Sequence, residues 1–218
     1  MQSKSMQKKR HNTLSSRAVR PPQQVRIIGG QWKRTPLQVL DAEGLRPTPD
    51  RVRETVFNWL THLLDREWDS AHCLDLFAGT GALGFEAASR GAAQVHMVED
   101  NGGAVRQLEA TKAKLRAEQV AIQRGDALSV AKRLVDQGRR FELIFLDPPY
   151  HLDWLVKILP LCKQLLSPGG LVYAEAEMAI DSGTPPEWLS DWEIVRADKA
   201  GMVYFHLLQC KAESEIQA

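Results

Sequence analysis

Two clusters in this 218-residue chain have residue types and spacing that can do chemistry together. Asp147-Pro148-Pro149-Tyr150 directly follows the apolar run Phe141–Leu146. A carboxylate, two prolines and an aromatic ring at a strand end can hold a planar amino group. An aromatic or amide amine is a poor nucleophile because its lone pair is delocalised. The Asp147 carboxylate and the Pro148 carbonyl can each accept one N–H, which returns density to nitrogen and favours pyramidalisation. Pro148 and Pro149 stiffen the loop and limit the entropy lost on fixing it. Tyr150 can stack on the base, a contact worth ~1–3 kcal/mol. Holding the nitrogen in line with its electrophile supplies much of the rest.

The second cluster is Asp75-Leu-Phe77-Ala-Gly79-Thr80-Gly81-Ala-Leu-Gly84. Its glycines fit G-x-G-x-x-G between an expected strand and an expected helix, so the backbone can turn tightly and approach a ligand. Glu99 ends the next strand, where a carboxylate can bind both ribose hydroxyls. These features mark a nucleotide site without choosing between a dinucleotide and S-adenosylmethionine. Asp75 helps to choose. An acid in an apolar strand is costly to bury unpaired, and a cationic ligand gives it a reason. S-adenosylmethionine carries an ammonium and a sulfonium. Asp126, next to Ala127 after the third strand, can bind the adenine amine or cap the following helix. Asp100 can cap a helix too. The cofactor-site candidates are thus Asp75, Phe77, Gly79, Thr80, Gly81, Glu99, Asp126 and Ala127.

The elements that must position these groups follow from the pattern. Val25–Ile28 and Thr35–Leu40 flank Gly29-Gly30 as two short strands. Thr48, Pro49 and Asp50 read as a helix start, with Thr48 as the cap. Val52, Val56, Trp59, Leu60 and Leu63 continue at helical spacing. Strands are expected at His72–Phe77, Gln94–Glu99, Val120–Gln123, Glu142–Leu146 and Leu171–Glu175. Helices are expected at Ala82–Ser89, Ala104–Ala117, Leu128–Gln137 and Trp154–Leu166. This alternation implies a doubly wound α/β parallel sheet with right-handed crossovers. Trp192–Ala197 and Met202–Gln209 have no helix between them and read as an antiparallel hairpin. That ending fits a methyltransferase variant of the Rossmann theme rather than a dehydrogenase.

Composition sets the outer limits. The 44% hydrophobic and 25% charged content suits a soluble domain. No apolar run approaches the ~20 residues of a membrane helix, and the polar N-terminus does not read as a secretory signal. Cys73, Cys162 and Cys210 are scattered, which suits a reducing cytoplasm and offers no metal spacing. Of 28 basic and 27 acidic residues, nine of the bases and none of the acids fall within residues 1–40. A basic arm on an acidic body suggests a polyanionic partner. Arg26, Lys33, Arg34, Arg46, Arg51 and Arg53 are the candidate phosphate contacts.

Asp-Pro-Pro-Tyr with an upstream Asp-x-Phe-Ala-Gly-Thr-Gly loop resembles the N-directed S-adenosylmethionine methyltransferases. Arg26-Ile-Ile-Gly-Gly-Gln-Trp32, Arg46-Pro-Thr-Pro-Asp-Arg-Val-Arg-Glu-Thr-Val-Phe-Asn-Trp59 and Lys199-Ala-Gly-Met-Val-Tyr204 narrow the likeness. They resemble the bacterial 16S rRNA (guanine(966)-N2)-methyltransferase family over about residues 25–210. The family's second-strand acid is often followed by another acid and an Asp-Arg pair; here it reads Glu99-Asp100-Asn101-Gly102. The resemblance implies a class I methyltransferase domain over 46–212 and a small β-hairpin extension over 25–45, while the polar composition of residues 1–24 reads as a basic, disordered arm. It implies a cytoplasmic enzyme, acting as a monomer on 16S rRNA within a 30S subunit or assembly intermediate. The nearest rival is a DNA adenine-N6 or cytosine-N4 methyltransferase, but the chain leaves little room for a target-recognition domain.

Overall fold

Alternating strand and helix build the body of the protein, and the strands' period-two pattern decides its layers. The computed structural model describes residues 25–39, 48–65, 67–149, 153–180 and 186–211. The described chain runs β1 (Val25–Arg26), β2 (Pro36–Leu37), α1 (Asp50–Leu63), β3 (His72–Asp75), α2 (Ala82–Ser89) and β4 (Gln94–Glu99). It continues as α3 (Gly102–Leu115), β5 (Val120–Arg124), α4 (Ala127–Asp136), β6 (Phe141–Leu146) and α5 (Trp154–Leu165). It closes with β7 (Leu166–Ala176), β8 (Trp192–Ala200) and β9 (Val203–Cys210). Among the described residues, seven strands form one sheet in the order β5-β4-β3-β6-β7-β9-β8. β3 to β7 pair in parallel, and β9 is antiparallel to both β7 and β8.

Strand β6 shows how one run of apolar residues feeds two cores. Leu143 and Phe145 face a layer that contains Val52, Val56, Phe57 and Leu60 of α1, together with Phe85 and Leu108. Ile144 and Leu146 face the other layer, with Val130 and Leu134 of α4 and Ile158, Leu159 and Cys162 of α5. Each large side chain removed from water this way contributes ~1.5–3 kcal/mol. Phe57 meets Phe145 with ring centroids 5.7 Å apart, which fixes α1 against the sheet centre.

Several boundaries differ from the sequence expectation, each for a local reason. β3 stops at Asp75 because the chain turns into the glycine loop, where Ala78 N–H donates to the Val98 carbonyl at 2.9 Å. β7 begins at Leu166, so Ser167-Pro-Gly-Gly170 is an irregularity within the strand rather than a stop before it. α3 is capped by Asn101, not Asp100; Asn101 Oδ1 accepts from Gly103 and Ala104 N–H. The β1–β2 hairpin is shorter than expected, and residue 40 lies outside the described residues. Residues 1–24 are outside them too.

The hairpin is latched to α2 by side chains of that helix. Glu86 accepts the Ile28 and Gly29 N–H groups at 2.6 and 2.8 Å, and Ser89 Oγ donates to the Gly29 carbonyl at 2.7 Å. Gly30 sits at φ +71° with its Cα against the Ser89 carbonyl, so a Cβ there would overlap backbone. Gly138 is also left-handed, at φ +65°, but faces open space. Gly138→Ala should cost ~1 kcal/mol in urea denaturation, the ordinary cost of the left-handed conformation. Gly30→Ala should cost ~2–3 kcal/mol, because strain and overlap add. Equal losses would show that the hairpin is not held tightly on α2.

Candidate active site

Four neighbouring strands end in acids along one edge of the sheet. Glu99 closes β4, Asp75 closes β3, Asp147 follows β6 and Glu175 lies next to last in β7. This is the carboxyl edge where open α/β sheets bind ligands, at the point where strand order reverses between β3 and β6. Asp75 pairs in register with Phe145, two residues before Asp147. The glycine loop and the Asp-Pro-Pro motif therefore face one crevice, as the sequence reading required.

The glycine loop is held by its acids. Gly79 and Gly81 adopt φ of +51° and +77°, and Gly81 N–H donates to the Ala78 carbonyl at 2.6 Å. Glu99 accepts Gly79 N–H at one oxygen and Asn101 N–H at the other, both at 2.8 Å. Carboxylate oxygens have two acceptor sites each, so Glu99 retains capacity for hydroxyl donors. Gly84 N–H donates to Asp75 Oδ2 at 3.1 Å. A Cβ at Gly84 would meet the buried Met97 side chain, which would have to shift. Thr80 is half-buried in the same loop. Phe77 meets Trp154 edge-on with centroids 5.1 Å apart.

Asp75 is only 1% exposed, and its Oδ1 has no hydrogen-bond partner. Burial pushes its carboxyl up to about 7, partly offset by N–H donation from Phe77 and Gly84, and Glu99 adds repulsion. An orphaned buried carboxylate oxygen beside a glycine loop fits a cationic ligand group. Asp126 caps α4 instead of standing free: its Oδ1 accepts Ser129 N–H at 2.8 Å, and Ala127 begins the helix, buried. The capping alternative is thus realised.

At Asp147 the structure adds partners that sequence reasoning missed. Thr48 does not cap α1. Pro49 occupies the cap position with no side-chain bond, and Thr48 Oγ1 lies 3.2 Å from Asp147 Oδ2 and 2.6 Å from Glu175 Oε1. Tyr173 OH donates to Glu175 Oε1 at 2.7 Å. The Thr48 hydroxyl thus lies between Asp147 and Glu175, and burial, then the charge of Glu175, raises the Asp147 carboxyl well above its usual range. Burial raises Glu175 as well. A signal for Glu175 was present: an acid two residues after Tyr173 in an apolar strand shares its face, as with Asp75. Pro148 is buried and Pro149 exposed. Tyr150 and Arg46 lie outside the described residues.

The candidate phosphate contacts divide. Arg26, Lys33, Arg34 and Arg51 are exposed. Arg53 is not: it is fully buried and donates to the Thr48 carbonyl at 3.3 Å, the Arg26 carbonyl at 2.8 Å and Asp50 Oδ1 at 2.6 Å. A side chain so committed cannot reach a phosphate, so that expectation is corrected; Arg53 clamps β1 to the start of α1. Its spacing with Val56, Phe57 and Leu60 placed it on the buried helix face.

The buried Asp75 makes stability depend on pH. Its folded pKa lies above the unfolded one, so the folded state holds the extra proton between about pH 4 and 7 and loses stability as pH rises through that window. Ligand-free wild type should therefore lose roughly 1–4 kcal/mol more than Asp75→Asn between pH 5 and pH 8, measured by chemical denaturation. Parallel profiles would show that Asp75 is not desolvated.

The family model described as conserved hypothetical protein 95 matches residues 25–209. Ribosomal RNA small subunit methyltransferase D of Escherichia coli K12 is 39% identical over 197 residues, 89% of this chain and 94% of that protein. The protein of the same name from Haemophilus influenzae is 37% identical, over 85% of this chain and 94% of its own. A solved Escherichia coli structure, described as a candidate methyltransferase, superposes with a TM-score of 0.74 at 36% identity, covering 88% of this chain and 100% of that one. With its doubly wound sheet and antiparallel C-terminal hairpin, the chain has the methyltransferase fold, and it belongs to the conserved hypothetical protein 95 family, among the relatives of ribosomal RNA small subunit methyltransferase D.

Proposed function

We propose that the protein transfers a methyl group from S-adenosylmethionine to the N2 amine of a guanine in small-subunit rRNA. The observation that carries this reading is the row of acids on four adjacent strand ends beside the glycine loop, with Asp75 and Glu175 buried and Glu99 and Asp147 half-buried. S-adenosylmethionine supplies an electrophilic methyl on a sulfonium. Asp75, with its unsatisfied Oδ1, would hold the ligand's cationic end; Phe77, Gly79, Thr80 and Gly81 would line it; Glu99 would take the ribose hydroxyls. Ala127 and Asp126 would border the adenine.

On the acceptor side, Asp147 and the Pro148 carbonyl would each take one N–H of the amine, Pro149 would keep the loop stiff and Tyr150 would stack on the base. A base in a duplex cannot reach such a pocket, so the guanine must be unstacked or flipped. Exposed Arg26, Lys33, Arg34 and Arg51 would meet phosphates. Arg46 and the basic residues before 25 would extend that track. Lys199 joins them, on the β8–β9 hairpin that runs to the same edge as Asp147. The partner is small-subunit rRNA within a 30S subunit or assembly intermediate, met by a single chain. The curated relatives are named for small-subunit rRNA methylation.

The test uses labelled S-adenosylmethionine with naked 16S rRNA, 30S subunits, DNA and protein as acceptors. Label should enter the ribosomal RNA; label confined to DNA or protein would overturn the reading. Asp147→Ala should bind the cofactor normally and lose transfer by roughly a hundredfold or more. Near-normal turnover would remove Asp147 from the amine-holding role. Lys33→Ala and Arg34→Ala should each flatten the salt dependence of RNA binding by about one unit of slope. An unchanged slope would place the RNA elsewhere.

A further inference from the structure

Counting hydrogens at the end of β6 and β7 exposes a missing one. Thr48 and Tyr173 have one hydroxyl hydrogen each, and both oxygens lie within 2.7 Å of Glu175 Oε1. Those two hydrogens satisfy the two short contacts to Glu175. The contact of Asp147 Oδ2 with Thr48 Oγ1 then has no hydrogen left. Two bare carboxylates do not share one hydroxyl hydrogen in a buried site, because like charges repel and neither can donate. One proton must therefore reside on the pair. Glu175 receives two donors and feels the charge of Arg53, while Asp147 feels Asp75. The negative charge belongs on Glu175 and the proton on Asp147.

We propose that Glu175 is the positioning residue for Asp147 and the final acceptor of the proton shed by the methylated amine. The inference rests on the amine-methylating reading above and deepens it. The methylated nitrogen is cationic until it loses one N–H proton, whose bond pair stays on nitrogen. Asp147 takes that proton at the oxygen facing the amine. Its other oxygen, Oδ2, releases its own proton to Glu175, directly or by exchange through the Thr48 hydroxyl. Asp147 ends as it began, a neutral acid. Glu175 ends neutral, and the pair returns the extra proton to solvent before the next turnover. The groups that bear on this exchange are Thr48 from the α1 side, Tyr173 and Glu175 on β7, Asp75 on β3, and Arg53 on α1.

The first readout needs no acceptor, so it succeeds or fails independently of the substrate. Infrared spectra at pH 8 should contain a protonated-carboxyl band that both Asp147→Asn and Glu175→Gln remove. Its absence in wild type, or its survival in either variant, would overturn the proposal. In turnover, Glu175→Gln should lower kcat tenfold or more while KM and S-adenosylmethionine affinity stay within twofold. It should also change the acid limb of the pH–rate profile, because the carboxylate that titrates there in wild type is gone. Tyr173→Phe folds with a smaller change in shape and should move that limb to higher pH, because Glu175 loses a donor to its anion. An unshifted limb in both variants, or kcat loss matched by loss of cofactor binding, would reduce Glu175 to a structural role. Wild type that never labels rRNA would instead refute the function and leave the shared proton standing.

Discussion

Taking carboxyl groups out of water is the constraint around which the carboxyl edge of the sheet is built. A buried carboxylate needs a cation, a set of donors or a proton. The four acids at the strand ends meet that need in different ways. Glu99 is satisfied by two backbone N–H groups and in return fixes the glycine loop. Asp75 is only half satisfied: one oxygen accepts Gly84 N–H and the other has no hydrogen-bond partner. Glu175 is met by the Thr48 and Tyr173 hydroxyls, and Asp147 shares the Thr48 hydroxyl with it. The two apolar layers below the edge are built from side chains buried on either side of the sheet.

The N-terminal segment is joined to this edge more closely than its position in the chain suggests. Arg53 holds the Arg26 and Thr48 carbonyls together, so the hairpin and the segment with the Thr48 hydroxyl are tied to one side chain. Glu86 and Ser89 tie the same hairpin to α2, the helix that follows the glycine loop. The segment with exposed Lys33 and Arg34 is thus linked to both halves of the crevice. Chain topology alone would not require this, since β1 and β2 are outside the main sheet.

Much of this was legible because each strand carries its own signal. The apolar runs, the glycines and the acids at strand ends are local in sequence, and α2 and β4 begin and end where the pattern places them. What could not be read were the partners across long separations. Thr48 looks like a helix cap because Pro49 and Asp50 follow it; only the fold shows its hydroxyl drawn 99 residues along the chain to Asp147. Arg53 reads as one more cation in a basic run, although its helical phase with Val56 and Leu60 marks it as buried. Asp126 had two roles available, and the capping geometry is purely local. Tyr150 and Arg46, central to the substrate side of the reading, rest on sequence.

The claim that matters most is that the crevice presents a guanine amine to the methyl donor. Nucleoside mass spectrometry of small-subunit rRNA after reaction with the purified protein tests it most directly. The account predicts N2-methylguanosine at a single unpaired or flippable position, formed by wild type and not by Asp147→Ala. Methylation found instead on adenine N6, cytosine N4 or a ribose hydroxyl would contradict it.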